Sequence, residues 1–455
     1  MKFLGVDGMN TPLFDALKEF LADQPALFCM PGHKGRPVTP ALEAGVELDV
    51  TELGPTGNLY AGGDAIEKAE ALWGEAWGYP RCQFLTGGAT QGLHAALLLC
   101  ARRGSTVLAD RASHRASHHG MALWGLSPVW LPRAQDQPLS PQAVEEGLKS
   151  CPEAKTVCIT SPTYYGVLSD VKAIGEICRR YGAALVVDAA HGAHLPFLGE
   201  NPFLGADLVV TSPHKTLPVY GQGAVLFAGE ETAPGALRWA AAVTGTSSPS
   251  YPVMASLDGA RAWMLEGEGR ARYREAVDFV ARCREELSAL REGRLDPARL
   301  VLHTGVPGQG FLAQRELEAA GVWPEMADRD HVVCILTGCE SGADRERLFE
   351  AAAASGRFCR AGETAGDRLA PPPVPEVVLS PREALFAGRR RVRLREAEGA
   401  AAAEMVCPYP PGVPVLAPGE RVTKKALAYL EQIGYNVDIP LDICWPLDDI
   451  EEGRL

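Results

Sequence analysis

The stretch Thr211-Ser212-Pro213-His214-Lys215-Thr216-Leu217-Pro218 is set between two short apolar runs. Ala206-Asp207-Leu208-Val209-Val210 precedes it, and Gly223-Ala224-Val225-Leu226-Phe227 begins eight residues after the lysine. Both runs have the length and Leu/Val content of buried strands. A lysine held between two such strands is hard to hydrate, and burial disfavours its ammonium form. In that setting an amine becomes a usable nucleophile near neutral pH, the chemistry of Schiff-base formation. A lone strand-end lysine is more often a solvated side chain. The neighbouring segments decide between these readings.

Outward from Lys215, strands and helices alternate. The pattern predicts strands at 105–109, 128–131, 156–161, 184–188, 207–211 and 224–227, with helices after Ser113, from about Ser140 and over 171–181. Such alternation argues for a mostly parallel sheet flanked by helices, with functional groups on loops at the strand carboxyl ends. Three strand-end clusters carry chemistry: Asp110-Arg111-Ala112-Ser113-His114-Arg115, Thr160-Ser161-Pro162-Thr163-Tyr164-Tyr165-Gly166, and Asp188-Ala189-Ala190-His191-Gly192-Ala193-His194. A fourth element, Gly87-Gly88-Ala89-Thr90-Gln91-Gly92, opens an apolar helix and so offers an anion the free N–H groups of a helix start. It matches neither the P-loop nor the dinucleotide pattern.

Together these groups meet the needs of pyridoxal phosphate. Its phosphate needs a helix start and hydroxyls (Gly88, Ala89, Thr90, Ser212), and its pyridine nitrogen needs a carboxylate (Asp188). The ring needs a flat group to stack on (His114), and the aldehyde needs an amine (Lys215). Ala190 and His191, next to Asp188, complete the expected cofactor contacts. The expected catalytic set is Lys215, His214, Asp188 and His114.

Composition narrows the partners. With 455 residues the chain has length for two or three domains. A net charge of -13 argues against nucleic acid or an anionic membrane as the main partner. Twelve cysteines occur without a CxxC spacing, so no metal is expected and the thiols read as structural, in a reducing compartment. No apolar run has the length of a signal peptide core or a bilayer span, and the expected location is the cytoplasm.

The sequence resembles the bacterial ornithine/lysine/arginine decarboxylases, short form. The resemblance is carried by Pro31-Gly32-His33-Lys34-Gly35, Asp49-Val50-Thr51-Glu52-Leu53, the clusters at Asp110, Asp188 and Ser212, Thr246-Ser247-Ser248-Pro249-Ser250-Tyr251, and Pro408-Tyr409-Pro410-Pro411-Gly412-Val413-Pro414 with Pro418-Gly419-Glu420. It implies an α/β fold of the pyridoxal-phosphate transferase type I: a mostly parallel seven-stranded sheet with flanking helices and a smaller α+β C-terminal domain. It implies decarboxylation of a basic amino acid, arginine first and lysine or ornithine next, with Glu420 as the carboxylate for the substrate's distal cation. His214 or the freed Lys215 would return the proton to Cα. The sequence departs from the family at Gly87, at Gly57-Asn58-Leu59-Tyr60 and at Gly399-Ala400, near loops expected at the substrate entrance. An aminotransferase or lyase of the same fold would instead need an arginine for the substrate α-carboxylate, for which Arg393 and Arg395 are the candidates.

The expected organisation is an N-terminal arm over 1–63, a cofactor-binding major domain over 64–255, and a linking helix (255–291) with a C-terminal small domain over 256–455. The arm carries too little apolar pattern for a core of its own, so it is expected against a partner subunit, in a homodimer or a multiple of dimers. Arg389 to Arg393 reads as a solvated basic strand edge.

Overall fold

A computed structural model of the chain describes residues 26–28, 39, 52, 56–62, 65–101, 104–134, 136–287, 289–290, 293–358, 371–408 and 413–445. The motif at 31–35, that at 49–53 apart from Glu52, and the proline loop at 409–412 lie outside the described residues.

After a short strand β1 (Ala26–Phe28), seven strands form one sheet: β2 (Arg81–Leu85), β3 (Thr106–Asp110), β4 (Ser127–Leu131), β5 (Thr156–Thr160), β6 (Ala184–Asp188), β7 (Leu208–Thr211) and β8 (Ala224–Ala228). Their spatial order is β2-β8-β7-β6-β5-β3-β4. The strands from β7 to β4 run parallel, and β8 is antiparallel to both β7 and β2. The central strands are apolar along their whole length because helices cover both faces. Val157, Ile159, Leu185, Val186 and Val187 are all fully buried.

Helix α1 (Ala65–Trp77) stacks Trp77 on Phe227 of β8 with ring centroids 4.4 Å apart. Helix α2 (Gly88–Ala101) lies close against the sheet because Gly92 has no side chain, where a Cβ would come within 2.5 Å of Val210 Cγ1. Since β8 reverses direction, β7 and β8 need no crossover helix. Their link is short and holds a single helical turn, Pro213–Thr216, that carries Lys215.

The predicted continuous helix over 255–291 is two helices, α4 (Tyr251–Leu265) and α5 (Gly269–Glu286), once α3 (Arg115–Trp124) is counted. The chain folds back over its own helix end between α4 and α5. A Cβ at Gly267 or Gly269 would meet the Trp263 carbonyl at 3.0 or 2.7 Å, so the break needs glycine.

Beyond α5, β9 (Arg299–His303), β11 (Met326–Ala327) and β12 (His331–Ile335) form an antiparallel sheet, and β10 (Val322–Pro324) pairs in parallel with β1. Ala26 and Phe28 are fully buried there, in a cluster with Phe279, Leu300 and Leu317. This part of the expected arm therefore packs into the chain's own second core. At the C-terminal end β13 (Gly388–Arg393) pairs antiparallel with β14 (Pro440–Trp445), with Arg389 to Arg391 exposed as expected of a basic edge. The helix Lys424–Gln432 covers it, capped by Thr423, whose hydroxyl accepts from the Ala426 N–H at 3.2 Å. No helix among the described residues is long and apolar enough to cross a membrane.

Candidate active site

Loops at the carboxyl ends of β3, β5, β6 and β7 enclose a cavity of about 320 Å³. It lies where the strand order reverses: β3 has its sequence neighbour β4 on one side and β5 on the other, so the loops leaving β3 and β5 diverge and open a crevice. Gly88, Ala89, Thr90, His114, Asp188, Ala190, His191, Ser212, His214 and Lys215 all line it.

Each is held by local structure. Gly88 takes a positive φ of 72° at the turn into α2, and its N–H donates to the Gln222 carbonyl at 2.8 Å. Ala89 and Thr90 follow in the first helical turn, whose N–H groups have no intrahelical partner. Asp188 ends β6 and is 3 % exposed; its Oδ1 accepts from the Ala190 N–H at 3.1 Å, which fixes the carboxylate's direction. Burial raises the Asp188 carboxyl above its usual range, and the charge of Lys215 works against that rise.

His114 is the N-cap of α3, its Nδ1 accepting from the Ala116 N–H at 3.2 Å. Burial, then the charges of Lys215 and Arg115, bring the imidazole down to about 4, so at neutral pH it is an uncharged flat ring. His214 Nδ1 donates to the Gly223 carbonyl at 2.9 Å, which leaves Nε2 as its acceptor atom. Lys215 Nζ lies 3.1 Å from His191 Nε2. Burial lowers the Lys215 amine, opposed by the negative charges of Asp188 and Glu325.

The donor set fits pyridoxal phosphate. Ser212 is fully buried and lines the cavity, yet its hydroxyl finds no hydrogen-bond partner among the described residues. An anion at the start of α2 would satisfy it. Asp188 would hold a proton on the pyridine nitrogen, and Lys215 would supply the amine. Bound there, pyridoxal phosphate supplies an electron sink for the bond broken at the substrate α-carbon.

Glu420, expected beside the substrate, does not line this cavity but a neighbouring one of about 340 Å³. It is 1 % exposed and its carboxylate is taken by Arg111, Nη1 to Oε1 at 2.8 Å and Nη2 to Oε2 at 3.0 Å. The Ala417 N–H donates to Oε2 as well, at 2.8 Å. Arg393 and Arg395 are also remote from the cavity. Both are exposed on the C-terminal module, where Arg395 Nη2 donates to Asp438 Oδ2 at 2.7 Å. Of the three family departures, Gly87 lines the cavity, Gly57 accepts from the Tyr251 hydroxyl at 2.6 Å, and Ala400 packs against the C-terminal core.

Arg133 and Glu325 were not singled out from sequence, and Tyr164 was named only as a member of the strand-end cluster at 160–166. Arg133, two residues past β4, lines the cavity with Nη2 2.6 Å from Asp110 Oδ2. The same strand-end rule that pointed to His114 and Asp188 would have reached it. Tyr164, from the β5 loop, also lines the cavity, and its hydroxyl donates to Glu325 Oε1. Glu325 follows β10 in the second module, and no local pattern marks it.

A partly buried strand-link lysine, a carboxylate on the neighbouring strand and an anion cup at a helix start define a pyridoxal-phosphate enzyme of the aspartate-aminotransferase fold. The sequence matches the Orn/Lys/Arg decarboxylase major domain over residues 11–299 and the C-terminal domain of the same family over 369–436. It is 28% identical to an arginine decarboxylase of Bacillus subtilis over 96% of both chains, and 30% identical to the YaaO protein of that organism over 93% of this chain and 94% of that one. The constitutive lysine decarboxylase of Escherichia coli has the same fold, with a TM-score of 0.70 at 19% identity over 97% of this chain and 82% of that one. The chain belongs to the Orn/Lys/Arg decarboxylase family.

Proposed function

We propose that the chain releases CO₂ from a basic amino acid, arginine first and lysine or ornithine next, leaving the corresponding amine. The observation that carries this reading is the pairing of Tyr164, on the cavity wall, with the Glu325 carboxylate. A basic side chain needs a negative partner at its far end, and Glu325, hydrogen-bonded to the cavity-lining Tyr164, is the carboxylate we assign to it. Arginine leads because the Bacillus subtilis relative named above is an arginine decarboxylase.

In this scheme Ala89, Thr90 and Ser212 would hold the cofactor's phosphate, and His114 would offer its flat uncharged ring as a packing surface. Asp188 would hold a proton on the pyridine nitrogen. Lys215 would be the amine that holds the cofactor covalently and is placed next to the substrate's reacting carbon. His214 or Lys215 returns a proton to Cα, a step worth about 10²–10⁴-fold by general-acid precedent. Apolar surroundings favour loss of the substrate carboxylate's charge as CO₂. No arginine clamp is needed, in keeping with the remote positions of Arg393 and Arg395.

The proposed working unit is a homodimer or a multiple of it. Supporting this, Trp239 and Val243 lie four residues apart on the helix Ala236–Thr244 and are 47 % and 51 % exposed. The proposed compartment is the cytoplasm, supported by ten described cysteines that are all free thiols. The test is CO₂ release by purified holoenzyme over arginine, lysine, ornithine and neutral amino acids, without an α-keto acid. Release from none of the three basic substrates would sink the reading, and light scattering that finds an active monomer would sink the dimer.

A further inference from the structure

We infer that Arg299 fixes the tautomer of His191 and, through it, holds Lys215 as a neutral amine. The inference rests on the proposed role of Lys215 as the reacting amine and goes beyond it to a residue outside the cavity.

Arg299 is 1 % exposed and firmly anchored. Its Nη1 donates to the Tyr164 carbonyl at 3.0 Å, and its Nη2 lies 3.8 Å from Asp296 Oδ2. Asp296 is itself held by His194 Nε2 at 2.9 Å and by the Ala298 N–H at 2.9 Å. From that position Arg299 Nη2 points at His191 Nδ1, 3.4 Å away. A guanidinium only donates and keeps its protons at any working pH. Nδ1 must therefore offer its lone pair, and a neutral imidazole then carries its proton on Nε2.

Nε2 faces Lys215 Nζ at 3.1 Å. An ammonium has donors only, so it would set N–H against N–H across that gap. A neutral amine has a lone pair to accept the Nε2 proton. The alternative of a protonated His191 is opposed from every side. The imidazole is 5 % exposed and faces Lys215, Arg299, His114 and His214, and burial followed by these charges pushes it far below its usual range. Around Lys215, burial and Arg299 favour the neutral amine, while Asp188 and Glu325 favour the charged one. The directional contact through His191 adds to the first group.

Capture of an aldehyde requires that neutral form: Nζ bonds to the carbonyl carbon, and the carbonyl oxygen leaves as water. Arg299 is thus a positioning residue, acting on Nζ through one imidazole.

The experiment follows uptake of pyridoxal phosphate by the full chain stripped of cofactor, read as growth of visible absorbance across pH. The initial rate should rise with pH through the Lys215 midpoint. Arg299→Met is expected to move that midpoint up by about one pH unit, slowing uptake about tenfold on the acid side. Arg299→Lys, which keeps a cationic donor, should stay near wild type. In a His191→Phe background the shift caused by Arg299→Met should fall below half, since the relay is gone. His191→Phe alone should raise the midpoint by a similar amount. An unmoved midpoint in Arg299→Met overturns the inference, as does an equal shift with and without His191. If Arg299→Met does not fold, an unmoved midpoint in His191→Phe overturns it. CO₂ release plays no part in this readout, so failure of the decarboxylase reading shows separately in the wild-type substrate panel.

Discussion

Arg111, one residue past β3, and Glu420, 309 positions further along the chain, meet as a fully buried bidentate pair at 2.8 and 3.0 Å. Arg111 lies in the same loop as His114, so the pair bolts the C-terminal module to the segment that would stack on the cofactor. Burial raises the Glu420 carboxyl and Arg111 works against that rise, so the pair depends on both partners. Glu420→Gln should leave a buried guanidinium unmatched, at a cost of about 3–5 kcal/mol. The expected result is a clear fall in melting temperature with KM nearly unchanged at temperatures where the protein stays folded. A raised KM at unchanged melting temperature would return Glu420 to the substrate.

Glu325→Gln should do the reverse. Losing a charged hydrogen-bond partner for the substrate's cation is expected to raise KM for arginine or lysine about 10- to 100-fold. Cofactor absorbance should be unaffected. Citrulline, the neutral analogue of arginine, serves as the control, and binding losses of equal size for both would remove Glu325 from substrate recognition.

Asp188→Asn keeps the shape of the β6 end but removes its charge. Turnover should fall by about 10²-fold or more, by analogy with the loss of one preorganised electrostatic partner. The cofactor should stay bound, whereas Lys215→Ala should lose both its covalent retention and its turnover. Absorbance spectra taken beside CO₂ assays separate the two variants. Near wild-type kcat in Asp188→Asn would reject the assignment.

The second module carries its own pH dependence. His331 Nδ1 lies 3.1 Å from Asp328 Oδ2, and the Tyr165 hydroxyl donates to the same carboxylate oxygen. Burial opposes both charges, yet Asp328 holds His331 above its usual range and His331 holds Asp328 below its own. The histidine's contribution is complete below an unfolded pKa of about 6.5 and is lost as pH rises through its raised folded value. The aspartate's is present above about 3.9 and is lost as pH falls through its lowered value. Asp328→Asn should therefore cost most stability between about pH 4 and pH 6.5, and less as the solution turns alkaline. Melting curves over a pH series check this; a cost independent of pH would rule out the ion pair as its source.

Much of the sheet was legible because its strands are short apolar runs ending in turn residues, a pattern that needs no knowledge of neighbours. The cavity was legible for the same reason: Asp188 ends a strand, and His114 and Lys215 follow shortly after two others. What stayed hidden depended on contacts distant in sequence. Nothing near Glu420 marks it as the partner of Arg111. The break before Gly269 brings the chain so close to the Trp263 carbonyl that a Cβ at Gly267 or Gly269 would crowd it, a fit that periodicity does not register. Residues 26–28 looked coreless because their cover is β10, beyond any local window.

That last pairing also bears on how the protein is made. Ala26–Phe28 leaves the ribosome roughly 300 residues before Val322–Pro324, a wait of about 15–60 s at ordinary elongation rates. Throughout that interval Phe28 has no strand to join, so the second core closes only late in synthesis. The residue that follows β10 is Glu325, and the nascent chain's first described strand is therefore among the last pieces needed to set the carboxylate beside Tyr164.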